Sequence, residues 1–333
     1  MPARFDRKTA PRVYHAYTGM SHQAILGGGR LDPKTPIPQA ASSDQEVLES
    51  LVFTALADCR QIVSHPFGVK QISLPADGGV ATVRLVDTIC AAESTESYAD
   101  WLVQAVLPHA VDESVYSNGI ANVRVACVTR QDLTLTFLGT DACLVFRGGR
   151  RTDWRRVLRE FQCRLESTGG AALWNWPRSF LTDPKRMKLH DQRPRSLAWL
   201  GSGLMRRAAI FHSANSSFYV HGWEGMNELK FEFDTLVGVS DTHDRFVNKL
   251  IDPVWGLPLT IEERHCYCDD RRGYHCWFNL AHRDGGKRAL HLRFTWTERH
   301  HLGNWRNMLK ATGAQQSRLD EILPEHLCPQ VGN

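Results

Sequence analysis

What this chain can fold into is constrained most by the order in which its hydrophobic periodicity changes. Apolar residues recurring every three or four positions mark an amphipathic helix, and strict alternation marks a half-buried strand. Val47, Leu48, Leu51, Val52, Ala55, Leu56, Cys59, Ile62 and Val63 follow the helical rule behind a capping box at Ser43-Asp44-Gln45-Glu46. Strand patterns follow at 67–74 and 80–90, a helix at 97–107, and strands at 120–128, 132–138 and 142–146. A further helix opens at the N-cap Thr152. The order then returns, with a helix at 196–212, strands at 216–223 and 228–237, and a helix at 242–251. Strands at 257–268, 274–281 and 289–296 and a helix at 302–312 complete it.

The pattern predicts an α+β fold of two related α-β-β-α-β-β-β-α halves, with antiparallel sheets and helices packed on one face. Some residues match at a near-constant offset: Arg60 and His65 with Arg207 and His212, and Asp87-Thr88 with Asp234-Thr235. Leu144-x-Phe146 matches Leu292-x-Phe294, and Trp154-Arg155-x-x-Leu158 matches Trp305-Arg306-x-x-Leu309. A duplicated unit of this kind packs as a pseudo-two-fold pair. The expected boundaries are an N-terminal arm at 1–42, a first domain at 43–166, a basic linker at 167–195, a second domain at 196–313 and a C-terminal tail at 314–333.

Charge is distributed unevenly between these parts. The formal net charge is +4, yet residues 145–210 hold 15 Lys/Arg against 5 Asp/Glu, while residues 1–144 hold 11 against 15. The basic stretch contains Arg147, Arg150, Arg151, Arg155, Arg156, Arg159, Lys185, Arg186, Lys188, Arg193, Arg195, Arg206 and Arg207, interleaved with Trp154, Trp174 and Trp176. Arginine offers planar bidentate donors suited to phosphate, and an indole offers a face on which a base stacks. A concentrated positive field with interleaved aromatics is the footprint expected of a nucleic-acid-binding surface. A partner protein, or self-association in a structural or viral particle, would use the same charge against an acidic neighbour.

Motifs for catalysis are absent from the sequence: there is no G-x-S-x-G, Walker A, G-x-G-x-x-G or H-E-x-x-H. The protein is therefore expected to be a non-enzymatic binder. If a hydrolytic or nuclease-like site exists, the repeated positions His65, Asp87, His212 and Asp234 are its first candidates. No cofactor is implied. The one metal candidate is the hairpin HCYCDDRRGYHC, where Cys266, Cys268 and Cys276 could serve zinc, although C-x-C spacing is tighter than the usual zinc pattern.

The nine cysteines are scattered, as buried thiols in a reducing compartment would be. No apolar run approaches the roughly 20 residues a membrane span needs, and the N-terminus lacks the apolar core of a secretory signal. These features predict a cytoplasmic or nuclear location.

AAIFHSANSSFYV at 208–220 resembles the motif helix and first strand of the LAGLIDADG proteins, the homing endonuclease and maturase family. ELKFEFDTLVGVSDTHDRFVNKLIDPVWG at 228–256 is similar to that family's next strand, polar turn and second helix. The resemblance covers about 80 residues of the second half, and it reaches the first half only through the internal repeat. It implies a saddle that binds nucleic acid. The family's metal-binding acids belong at the end of the motif helix, where this chain has Ser213 and Asn215, and SHPFG at 64–68 has no acid either. Binding without cleavage is what the resemblance then implies, because cleavage needs carboxylates to hold the metal.

Overall fold

Ten alternating segments form two five-stranded sheets in the computed structural model. It describes residues 9–27, 32, 36–60, 62–90, 97–111, 117–175, 197–212, 217–225, 227–236, 242–267, 275–286, 288–297 and 299–325. The first sheet contains β1 (Val69–Ser73), β2 (Ala81–Leu85), β3 (Val123–Val128), β4 (Asp132–Phe137) and β5 (Cys143–Arg147), in the order β1-β2-β5-β4-β3. The second contains β6 (Ser217–Glu224), β7 (Leu229–Leu236), β8 (Leu259–His265), β9 (His275–His282) and β10 (Arg288–Thr297), in the order β6-β7-β10-β9-β8.

Strand order and pairing sense are the same in both sheets. Each is a hairpin set beside a three-strand meander, and the two pieces meet in a parallel pair, β2 with β5 and β7 with β10. The expectation of antiparallel sheets is therefore corrected to mixed sheets. Tight turns make antiparallel neighbours, but the hairpin and the meander are joined through a helix, which frees their relative direction. Those helices are α4 (Tyr98–Val106) and α7 (Thr242–Leu250). Each first strand and each last-placed strand carries a register break: Val69/Gln71 in β1, Val125/Cys127 in β3, Ser217/Tyr219 in β6 and Ile261/Glu263 in β8.

Alternation decides which face is covered. In β2, Ala81, Val83 and Leu85 are buried while Arg84 is exposed, and β4 alternates in the same way. On the buried side lie α3 (Ser43–Ala57), α4 and α5 (Trp154–Ser167) of the first half, and α6 (Ala198–Met205) and α7 of the second. The N-cap of α3 is Ser42, whose hydroxyl accepts from Gln45 N, one residue before the position expected. Likewise α5 is capped by Asp153, accepting from Arg156 N, in place of Thr152.

One hydrophobic cluster runs through both halves. Its centre is the pairing of α3 with α6. A Cβ on Gly201 would fall 2.1 Å from Ser50 Oγ, so glycine is what lets the two helices approach this closely. Beneath them Phe53, Phe67, Phe211 and Phe231 are all mutually in contact, with ring centroids 4.7 to 6.3 Å apart. Burial of each such ring stabilises by about 1.5–3 kcal/mol. Two of the rings come from each half, so the halves depend on one another for this burial.

The described residues of the predicted arm and tail include helices packed on the core. In α1 (Ala10–Thr18), Ala10, Tyr14 and Tyr17 enter the core, and Tyr17 donates to Lys249 O and stacks with Trp255. A short α2 (His22–Gly27) follows and buries Ile25. At the other end, α8 (Arg299–Ala311) and α9 (Gln316–Ile322) form a small cluster through Leu302, Leu309, Leu319, Ile322 and Leu323, against Ile62, Tyr219 and Trp305. Among the described residues, no helix is long and apolar enough to cross a membrane.

Candidate functional site

The basic residues divide into four groups by position. Arg206 and Arg207 are buried, which removes them from the exposed basic surface. Arg206 donates through Nε and Nη2 to Glu49 of α3 at 2.7 Å each, and also to the carbonyls of Pro38, Gln39, Gly78 and Gly79. Glu49 further accepts from Ser202 Oγ at 2.6 Å and from Gln45 Nε2 at 2.9 Å. Arg207 donates to Trp255 O and Gly203 O, and burial lowers its pKa to about 10.

Trp154 and Trp174 are corrected in the same way. Trp154 is 0 % exposed at the start of α5, and Trp174 is 2 % exposed, stacked on Phe161 at 5.3 Å. Neither ring has a face for a base. Trp176, Lys185, Arg186, Lys188, Arg193 and Arg195 lie outside the described residues.

What remains is one surface at the β5–α5 connection. Arg147 closes a bidentate pair with Asp132, and Arg156 lies 3.8 Å from Glu160. Arg150, Arg151, Arg155 and Arg159 are exposed, and no acidic side chain among the described residues pairs with them. Val157, Phe161 and Leu165 turn the opposite side of α5 into the core. Arg155 and Arg159 stand one turn apart, an arrangement that costs a few tenths of a kcal/mol between like charges. The first turn of α5 holds Arg155 and Arg156 and no acidic residue, so the helix dipole opposes both, offset in part by the Asp153 carboxylate at the N-cap.

A second constellation lies where the halves join. His65 and His212, the residues matched at constant offset, meet edge to face with ring centroids 4.9 Å apart. Ser64 Oγ is 3.1 Å from His65 Nδ1. Arg318 of α9 donates to Ser64 O and His212 O. Burial, reinforced by Arg318 and Lys70, lowers the His65 pKa to about 3. Burial, with His65, Arg318 and His15 nearby, holds His212 well below its ordinary value. Both rings are therefore neutral near pH 7.

Asp87 and Asp234 do not join them as a matched pair. Asp87 lies beyond β2, where it accepts from Arg151 N and Thr152 Oγ1, whereas Asp234 lies within β7 opposite Tyr219. Burial and neighbouring Glu232 raise the Asp234 pKa to about 6. Beside His65, Phe67 has φ 58° and is followed by Gly68 at φ 63°, a left-handed turn that aims the Phe67 ring into the junction.

The hairpin cysteines have a partner that spacing did not reveal. Cys266 and Cys276 face one another, and His243 from the first turn of α7 closes on Cys266. Cys268 lies outside the described residues. His243 and Cys266 are 23 residues apart on different elements, so no local motif connects them.

No family model, curated protein or solved structure matches this chain.

Proposed function

We propose that the protein is a non-enzymatic nucleic-acid-binding protein whose contact surface is Arg150, Arg151, Arg155 and Arg159 at the β5–α5 connection. The observation that carries this reading is the set of four exposed arginines with which no acidic side chain among the described residues pairs, Arg155 and Arg159 repelling one another a turn apart and Arg155 opposing the helix dipole in the first turn of α5. A phosphate backbone offsets both costs. With Trp154 and Trp174 in the core, affinity rests on phosphate contacts and is independent of base sequence.

The shared strand order of the two sheets supports reading the chain as a duplicated unit. The positions where the LAGLIDADG family's metal-binding acids belong hold Ser213 and Asn215, which supports binding without metal-dependent cleavage.

A mobility-shift titration with single-stranded RNA and duplex DNA at two salt concentrations tests the reading. The expected result is binding that weakens steeply with salt, the logarithmic slope being about −0.9 per phosphate contact on duplex DNA. Replacing the four arginines with glutamine should lower both affinity and slope. Absence of binding at low salt, or unchanged affinity in the fourfold variant, would overturn it. A defined oligomer free of nucleic acid, lost in the same variant, would assign these arginines to an assembly contact.

A further inference from the structure

We propose that His243, Cys266 and Cys276 form a zinc site that ties the start of α7 to the β8–β9 hairpin. The three donor atoms come from α7, from the residue just after β8 and from β9, and all lie within 4.8 Å of one another. His243 Nε2 is 3.3 Å from Cys266 Sγ, and the two sulfurs are 3.6 Å apart. A tetrahedral ion with zinc–sulfur bonds of about 2.3 Å and a zinc–nitrogen bond of about 2.0 Å separates its donors by about 3.8 Å for S···S and about 3.6 Å for S···N. The S···S spacing of 3.6 Å and the Cys266 S···N spacing of 3.3 Å lie within 0.3 Å of these values, and the His243 nitrogen lies within 4.8 Å of the Cys276 sulfur.

The surroundings favour thiolates. Tyr267 donates its backbone N–H to Cys276 Sγ at 3.2 Å. This contact stabilises negative charge on sulfur. Two thiolates and a neutral imidazole cancel the charge of a divalent ion, and the two thiol protons leave to solvent. Neutrality matters because His243 is 4 % exposed and Cys276 is 1 % exposed. The His243 ring is held between Phe278 and Phe294, with centroids at 5.4 and 5.8 Å, which fixes the direction of Nε2.

Two other accounts of these residues fit less well. Core packing accounts for Cys276 but not for Cys266, which is exposed. A cross-strand disulfide accounts for both cysteines but not for an imidazole nitrogen placed against one of them. Soft sulfur with imidazole selects zinc over magnesium or calcium, which take oxygen ligands. Because Cys266 is the exposed member, the group meets solvent on that side, and a water or another donor supplies the fourth ligand.

The test is titration of the full-length, reduced, chelator-treated protein with cobalt(II), followed by displacement with zinc. The expected result is one equivalent bound per chain, with tetrahedral d–d absorption, a thiolate-to-cobalt charge-transfer band and loss of both on adding zinc. Cys266→Ser and His243→Asn should lose the tetrahedral spectrum, and Cys127→Ser, exposed on β3, should keep it. Cys266 lies on the surface, so its serine variant should fold, as far-ultraviolet circular dichroism would show. A folded Cys266→Ser protein with the wild-type cobalt spectrum would overturn the proposal. So would the absence of a tetrahedral spectrum in the wild type, or a Cys266–Cys276 disulfide in protein purified without reductant.

Discussion

The Glu49 carboxylate and the Arg206 guanidinium form a bidentate ion pair across α3 and α6, with both side chains 0 % exposed. Removing one partner leaves the other charged and buried, which costs about 3–5 kcal/mol. Glu49→Ala and Arg206→Ala should each lower the free energy of unfolding by that order in chemical denaturation. Because the pair bridges the two halves, the loss should appear as a lower midpoint of one transition.

His65 and His212 predict an acid-sensitive fold. The unfolded chain takes up a proton on each histidine near pH 6.5, whereas folded His65 resists protonation down to about pH 3 and folded His212 is also strongly depressed. Between those limits the unfolded state binds more protons, so stability falls as pH falls, by up to about 1.4 kcal/mol per histidine per pH unit. Arg318, Lys70 and His15 face the pair and strengthen the effect. Unfolding midpoints at pH 7 and pH 5 check this, and the His65→Gln, His212→Gln double variant should show the flatter pH dependence.

Trp154 fills the core, but its Nε1 has no hydrogen-bond partner among the described residues. Trp154→Ala should cost about 3–5 kcal/mol through cavity formation. Trp154→Phe keeps most of the ring and removes the unsatisfied donor, so it should cost no more than about 1–2 kcal/mol. Equal losses in the two variants, measured by denaturant unfolding, would contradict this account of the site.

Strands such as β2 and β4 were legible because they are half-buried. Ala81, Val83 and Leu85 alternate with Thr82 and Arg84, and alternation of this kind survives any choice of neighbour. The parallel meeting of β2 with β5 was not legible, since it depends on which strands become neighbours and not on their composition. Tyr14 and Tyr17 of α1 already stood at helical spacing, but the surrounding basic and proline residues masked a nine-residue helix. Leu319, Ile322 and Leu323 were similarly hidden in a polar C-terminal stretch.

The candidate surface was legible only in part. Arg150, Arg151, Arg155 and Arg159 remained exposed, but a basic composition cannot distinguish them from Arg206, whose acidic partner lies 157 residues away. Tryptophan content carried the same ambiguity, which burial resolved against stacking for Trp154 and Trp174.

The register breaks in the outermost strands bear on how this protein behaves at high concentration. A straight sheet edge offers its free backbone groups to any neighbouring chain and seeds aggregation. In β8 the break at Ile261/Glu263 is joined by the exposed charges of Glu262, Glu263 and Arg264. In β3 the break at Val125/Cys127 stands beside exposed, uncharged Ala126 and Cys127. These two edges are therefore guarded unequally, β3 being the more open of them to a foreign strand.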